Sequence, residues 1–363
     1  MAWSFSIGRL FGSDVRIHLT FFLLLAWIGL SAWLQAGPNA ALINVAFICA
    51  LFACVVAHEF GHALAARYYG IKTPDITLLP IGGLARLERI PERPSQEFVV
   101  AIAGPAVNVL IWAVLVFVVG AETNPDMLMS IEDQAQGFWG RLAAINLFLV
   151  VFNLIPAFPM DGGRVLRALL STRINRVRAT KIAARIGQGV AILFALLGLT
   201  SGQPVLLLIA GFVFLAAGAE SSFESQKALA LDYRARDVMI DQYLSLELSQ
   251  PISDAADAVI KTTQVEFPIV DSRGELVGFL DRRSIIEALR TSATTPLKEP
   301  MNEKVVAIRE DAPLSEVLGP LQDSRLPAIA IVDGQGSMLG YVSRENVGEW
   351  FALRAAASDR IKP

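Results

Sequence analysis

Stretches dominated by apolar residues recur along the first 220 positions, at about 17–35, 41–66, 98–120, 138–156, 180–200 and 203–219. Each approaches the roughly 20 residues that a helix needs to span a hydrocarbon core, so the pattern predicts a polytopic α-helical membrane region with about six spans. The fifth and sixth are separated only by the short turn Ser201-Gly202-Gln203-Pro204. After about Glu220 the pattern changes. Charged and apolar residues there alternate as in a soluble domain, and residues 221–235 read as a linker.

Basic residues set the expected orientation. Arg9 and Arg16 precede the first stretch, Arg67, Lys72, Arg86, Arg89 and Arg93 follow the second, and Arg164, Arg167, Arg173, Arg176, Arg178 and Lys181 follow the fourth. The links at Gly37-Pro38, from Glu122 to Asp133, and at Ser201-Pro204 contain neither lysine nor arginine. By the positive-inside rule both termini face the cytoplasm of a multi-pass plasma-membrane protein. No small-residue cleavage pattern follows the first stretch, so no cleavable signal peptide is expected.

Composition agrees with this class: 54% of the 363 residues are hydrophobic and 18% charged. A net charge of −3 without a lysine-arginine block argues against a nucleic-acid partner. Two cysteines, Cys49 and Cys54, offer neither a disulfide scaffold nor a zinc ribbon.

The candidate chemistry lies in the second stretch, where Val55-Val56-Ala57-His58-Glu59-Phe60-Gly61-His62 contains the pattern HExxH. On a helix His58 and His62, four apart, present two imidazoles on one face with Glu59 beside them. Zinc favours such ligands, and Glu59 is placed to take a proton from water and deliver it to a leaving amine. The alternative is that the three tie helices together by hydrogen bonds. A third ligand must come from elsewhere. His18 reads as an interfacial histidine and Cys54 as a small buried hydrophobe. Asp161 stands in Asn153-Leu154-Ile155-Pro156-Ala157-Phe158-Pro159-Met160-Asp161-Gly162-Gly163, where two prolines break the helix and two glycines permit close approach. It reads either as the carboxylate that completes the metal set or as part of a surface turn.

HEFGH in one apolar stretch followed by NxxPxxxxDG after a later one resembles the site-2 protease family of intramembrane zinc metalloproteases, peptidase family M50, over roughly residues 5–220. The resemblance implies one zinc ion held by His58, His62 and Asp161, with Glu59 as general base and acid. It also brings in Asn153 and, in Gly104-Pro105-Ala106-Val107-Asn108, Asn108, either of which would donate to an oxyanion or hold the substrate backbone, or simply join two helices. Leu78-Leu79-Pro80-Ile81-Gly82-Gly83 is similar to the family's short membrane-associated β region. An open strand edge at Gly82 and Gly83 would hold an extended substrate, and a plain surface hairpin is the simpler alternative.

The last third contains an internal repeat offset by about 62 residues. Asp237-Val238-Met239 recurs as Glu299-Pro300-Met301, and Phe267-Pro268-Ile269-Val270-Asp271 as Ile329-Ala330-Ile331-Val332-Asp333. Each unit reads as short strands flanked by helices, and the two resemble a tandem of cystathionine-β-synthase-type (CBS) domains, 236–290 and 297–353, giving a cytoplasmic α/β pair. Such pairs often take an adenosine nucleotide, here at Ser343 and Asn346. The ribose-contacting pattern is degraded, however, to Asp281 with Ser284 and Ser343 with Asn346, which makes homodimerisation or substrate docking the plainer role.

The expected activity is therefore zinc-dependent cleavage of a transmembrane or membrane-proximal segment of a single-span regulatory protein, such as an anti-sigma or pro-sigma factor, modulated by the CBS pair. The competing reading is a CBS-regulated metal-ion transporter or channel, because six spans with intramembrane His, Glu and Asp also suit an ion pathway.

Overall fold

A bilayer interior offers no partner to a bare peptide group, and a helix satisfies its own, so the apolar stretches become helices. The computed structural model describes residues 3–80, 82–122, 137–321 and 326–360. Its helices α1 (Leu19–Ala36), α2 (Pro38–Tyr68) and α3 (Pro94–Phe117) follow the first three stretches. The fourth appears as α4 (Gly137–Asn153), whose 17 residues reach roughly 26 Å at 1.5 Å per residue. After α5 (Asp161–Ser171) come α6 (Arg176–Ser201) and α7 (Pro204–Asp232). Among the described residues five helices, α1, α2, α3, α6 and α7, are long and apolar enough to cross a membrane, and α4 is the shorter apolar one. Their outer faces suit lipid. In α1 only Phe21 is buried, while Trp27, Leu30, Trp33 and Leu34 are exposed.

The chain splits into two compact units, residues 1–222 and 223–363. In the first, a four-stranded sheet in the order β1-β2-β3-β4 accompanies the helices. It comprises β1 (Ser4–Leu10), β2 (Ser13–His18), β3 (Asp75–Leu79) and β4 (Gly82–Arg86). β1 and β2 form a hairpin, β2 runs parallel to β3, and β4 returns antiparallel along β3, from Leu79 opposite Gly82 to Asp75 opposite Arg86. The β3–β4 pair is the expected β region, with Ile81 outside the described residues. The amino-terminal hairpin was not anticipated, although Ser4-Phe5-Ser6-Ile7 alternates in the manner of a strand. His18 ends the hairpin and caps α1: its Nδ1 lies 2.8 Å from Thr20 Oγ1 and accepts from the Thr20 amide.

In the second unit each repeat builds a three-stranded sheet. The first contains β5 (Leu246–Glu247), α8 (Ile252–Thr262), β6 (Glu266–Val270), β7 (Leu276–Asp281) and α9 (Arg282–Leu289). The second contains β8 (Ala307–Arg309), α10 (Leu314–Leu321), β9 (Ala328–Val332), β10 (Met338–Ser343) and α11 (Arg344–Arg360). The two exchange short segments across a pseudo-twofold. Ile240 bonds Tyr341 through both backbone groups, at 2.8 and 3.1 Å, and Asn302 bonds Phe279 at 2.8 and 3.1 Å. Each exchange needs a glycine, since a Cβ on Gly278 would stand 2.6 Å from the Asn302 carbonyl oxygen and one on Gly340 2.5 Å from that of Ile240.

Candidate metal centre

His58, Glu59 and His62 lie on α2, and the local sequence explains how a polar group of this size fits there. Gly61 lets α2 and α3 touch, because a Cβ at that position would sit 2.6 Å from the Ala103 carbonyl oxygen. Gly104 on α3 makes room for both imidazoles: a Cβ there would fall 2.2 Å from His62 Nε2 and 2.7 Å from His58 Nε2. Asp161 is the first residue of α5, after the proline-broken segment that follows α4. Gly162 and Gly163 allow that segment to fold back onto the start of α5, where any Cβ would meet the Ile155 carbonyl oxygen at 2.2 Å and the Phe158 amide nitrogen at 2.6 Å.

The three groups converge. His58 Nε2 and His62 Nε2 are 3.1 Å apart, and Asp161 Oδ2 lies 3.2 Å from each. Among the described residues, this is the cluster of His, Cys, Asp or Glu side chains whose ligand atoms fall within 4.8 Å of one another, and all three residues are buried. The other ring nitrogens fix the tautomers. His62 Nδ1 is 2.7 Å from the Val100 carbonyl oxygen, which only accepts, so that nitrogen carries the proton. His58 Nδ1 faces Asn108 Oδ1 at 2.8 Å in the same sense. A neutral imidazole with its proton on Nδ1 presents its Nε2 lone pair, so two such nitrogens and one carboxylate oxygen converge on a single point.

Such a set repels itself unless a cation sits among the three atoms. Its dimensions suit zinc: tetrahedral bonds of about 2.0 Å place ligand atoms about 3.3 Å apart. An imidazole held by a carbonyl or carboxamide at its far nitrogen is the usual support for a metal ligand.

Glu59 is half-buried beside His58, and β4 lies over it, with the Gly83 Cβ position 2.7 Å from Glu59 Cγ. β4 is the last strand of its sheet. Gly82 starts that strand at a φ of 137°, a conformation that favours glycine. Asn108 is fully buried. Its Oδ1 accepts a hydrogen bond from His58 Nδ1, and its Nδ2 has no partner among the described residues. Asn153 closes α4 and is half-buried. Cys54 packs among Phe47, Leu115 and Leu142, and neither it nor His18 joins the cluster.

Sequence reasoning missed a second polar group in the same unit. Arg167, counted above as a base of a connecting segment, is fully buried on α5. Its Nε donates to Glu97 Oε1 at 2.7 Å and its Nη1 to Glu220 Oε1 at 2.5 Å, while Arg176 Nη1 donates to Glu97 Oε2 at 2.6 Å. These residues lie far apart in sequence and obey no local spacing. The one available signal was Glu97 immediately before an apolar stretch.

In the CBS pair Ser343 and Asn346 are engaged. Ser343 Oγ accepts from the Asn346 amide at 3.3 Å, and Asn346 Nδ2 donates to the Val238 carbonyl at 3.0 Å. In the other repeat Asp281 caps α9 through the Ser284 amide at 2.7 Å. A cavity of about 370 Å³ is lined by Glu266, Asp281, Ser284, Asn302, Arg344 and Glu345 among others. Burial, and next the Glu345 carboxylate, push the Glu266 carboxyl up to about 7.

Known proteins resemble both parts of the chain. The peptidase family M50 model matches residues 46–196, and CBS-domain models match 235–291 and 297–351. A zinc metalloprotease of Methanocaldococcus jannaschii is 34% identical over 348 residues, 96% of each chain. Stage IV sporulation protein FB of Bacillus subtilis is 27% identical over 76% of this chain and 91% of its own. Among solved structures, the site-2 protease of M. jannaschii is 36% identical, covering 60% of this chain and 95% of that one at a TM-score of 0.45. Because the M. jannaschii zinc metalloprotease is 34% identical along 96% of both chains, the chain belongs to peptidase family M50, the site-2 proteases, and is a multi-pass membrane zinc metalloprotease that carries a tandem CBS pair.

Proposed function

We propose that His58, His62 and Asp161 hold the zinc ion and that the protein hydrolyses a peptide bond in a transmembrane or membrane-proximal segment of a single-span regulatory protein. The observation that carries this reading is the triangle of two imidazole nitrogens and one carboxylate oxygen 3.1–3.2 Å apart, all buried. Zinc held there by His58, His62 and Asp161 would supply Lewis acidity and lower the pKa of a bound water. Glu59 Oε takes the proton from the attacking water and returns it to the leaving amine. Asn108 orients His58, and its unpartnered Nδ2 is available to a developing oxyanion. A substrate helix hides its peptide bonds and must be extended first. The edge of β4 beside Glu59 receives the extended segment as an added strand; Gly82 has open space at its side-chain position, and Gly83 lets the strand lie against Glu59.

The basic connections favour a cytoplasmic position for both termini and for the reaction site, so that cleavage releases a cytoplasmic fragment of the anti-sigma or pro-sigma class. The CBS pair serves as the regulatory module. The engagement of Ser343 and Asn346 in helix capping favours dimerisation or substrate docking over nucleotide binding there. Co-expression of single-span regulatory proteins with wild type and with Glu59→Gln tests the activity. A cytoplasmic fragment is expected with wild type only, together with about one zinc per chain that Glu59→Gln keeps and His58→Ala loses. The same fragment from Glu59→Gln would refute the reading.

A further inference from the structure

Two of the three proposed ligands lean directly on one face of one helix, and the third is tied to that face through a neighbour on its own helix. Glu97, Val100, Gly104 and Asn108 follow one another on α3 in steps of three, four and four, which places them in a single stripe. Asn108 Oδ1 holds His58, the Val100 carbonyl holds His62, and Gly104 gives both rings their space. Glu97, the first of the four, touches neither histidine. It binds Arg167, which stands on α5 six residues after Asp161.

The buried Glu97–Arg167 pair thus joins the helix that orients both histidines to the helix that supplies the carboxylate. Glu97 is 2% exposed and Arg167 is fully enclosed. The guanidinium also lies 5.0 Å from the ring centre of Phe158, in the segment leading into Asp161. Arg176 engages the other Glu97 oxygen, and Glu220 of α7 engages the same guanidinium from a position that is 27% exposed. A planar guanidinium with its donors committed in two directions fixes both the rotation and the advance of α5 against α3. Asp161, at the start of that short helix, inherits the setting.

We infer that Glu97 and Arg167, with Glu220 as their outer partner, are positioning residues that set Asp161 at the metal, so that one stripe of α3 aligns the complete ligand set. This inference rests on the zinc reading above. It assigns these residues no contact with substrate or metal. Their effect reaches the ion only through the carboxylate.

The test is zinc affinity of the purified full-length chain, measured by competition with a chromophoric chelator for Glu97→Gln alone and in an Asp161→Asn background. Supporting contacts of metal ligands typically govern affinity by about ten- to a hundredfold. Glu97→Gln is therefore expected to weaken zinc by about tenfold or more when Asp161 is present, and to change nothing further once Asp161→Asn has removed the carboxylate. An equal loss in both backgrounds would show a merely structural role, and no loss in either would show none; each overturns the inference. Where Glu97→Gln does not fold, Glu220→Gln, at the accessible end of the same guanidinium, is decided by the same two backgrounds. Undiminished zinc binding by a His58→Ala control would instead refute the metal assignment itself.

Discussion

At the residue scale, a glycine controls the centre as firmly as any ligand. Gly104 lies where a methyl group would occupy the space between the imidazoles, 2.2 Å from His62 Nε2. Because that methyl would be carried by a rigid helix, the imidazoles must move. Gly104→Ala is expected to abolish stoichiometric zinc binding while the helix content seen by circular dichroism stays near wild type, and metal analysis of the purified variant checks it. HExxH was legible because its meaning is local: four residues of helix fix the relation of His58 to His62. Asp161 was legible only as a candidate, since nothing in its own neighbourhood distinguishes a ligand from a turn residue; the combined motifs singled it out. Glu97 and Arg167 stayed hidden because a buried ion pair between distant segments is a tertiary fact. Arg167 instead looked like one more cytoplasmic base. The expected orientation then rests, in that connection, on Arg164, Arg173, Arg178 and Lys181.

At the element scale, apolar length found the spans because the bilayer imposes a minimum that the chain must meet. It did not find β1 and β2. β1 is exposed along almost its whole length, with Phe5, Ile7 and Leu10 open, so it lacks the one-sided burial that marks a strand, and β2, with Ser13 and Val15 buried, is a six-residue element directly before a long apolar stretch. The repeat offset was legible, and it predicts the exchanged segments once the glycines are considered: 278 and 340 differ by the repeat length, and so do 240 and 302. Each glycine admits a backbone carbonyl that a side chain would strike. Gly278→Ala and Gly340→Ala are each expected to destabilise the CBS pair by about 1–3 kcal/mol, the usual cost of overpacking. Hydrogen exchange in the full-length protein should show lost protection on β7 and at Asn302 for the first variant, and on β10 and at Ile240 for the second.

At the scale of the whole molecule, the two units answer to different solvents, and the second brings a titratable group into play near neutrality. The carboxyl of Glu266, raised to about 7 against an ordinary 4.5, binds its proton more tightly in the folded module than in the unfolded chain. The associated stabilisation is complete below about pH 4.5 and is lost as pH rises through about 7. Exchange protection of β6 and β10, corrected for intrinsic rates, is therefore expected to be higher at pH 6 than at pH 8. Glu266→Gln should flatten that difference, and an undiminished difference would contradict the assignment.

If β4 receives the substrate as proposed, the order β1-β2-β3-β4 makes the amino-terminal segment part of the apparatus. Removing residues 3–18 as a dispensable leader would strip β3 of its parallel neighbour and leave β4 on a two-stranded remnant, some sixty residues away from the cut. Truncation at that end should thus register as impaired capture of the polypeptide to be cleaved, even with every ligand of the ion intact.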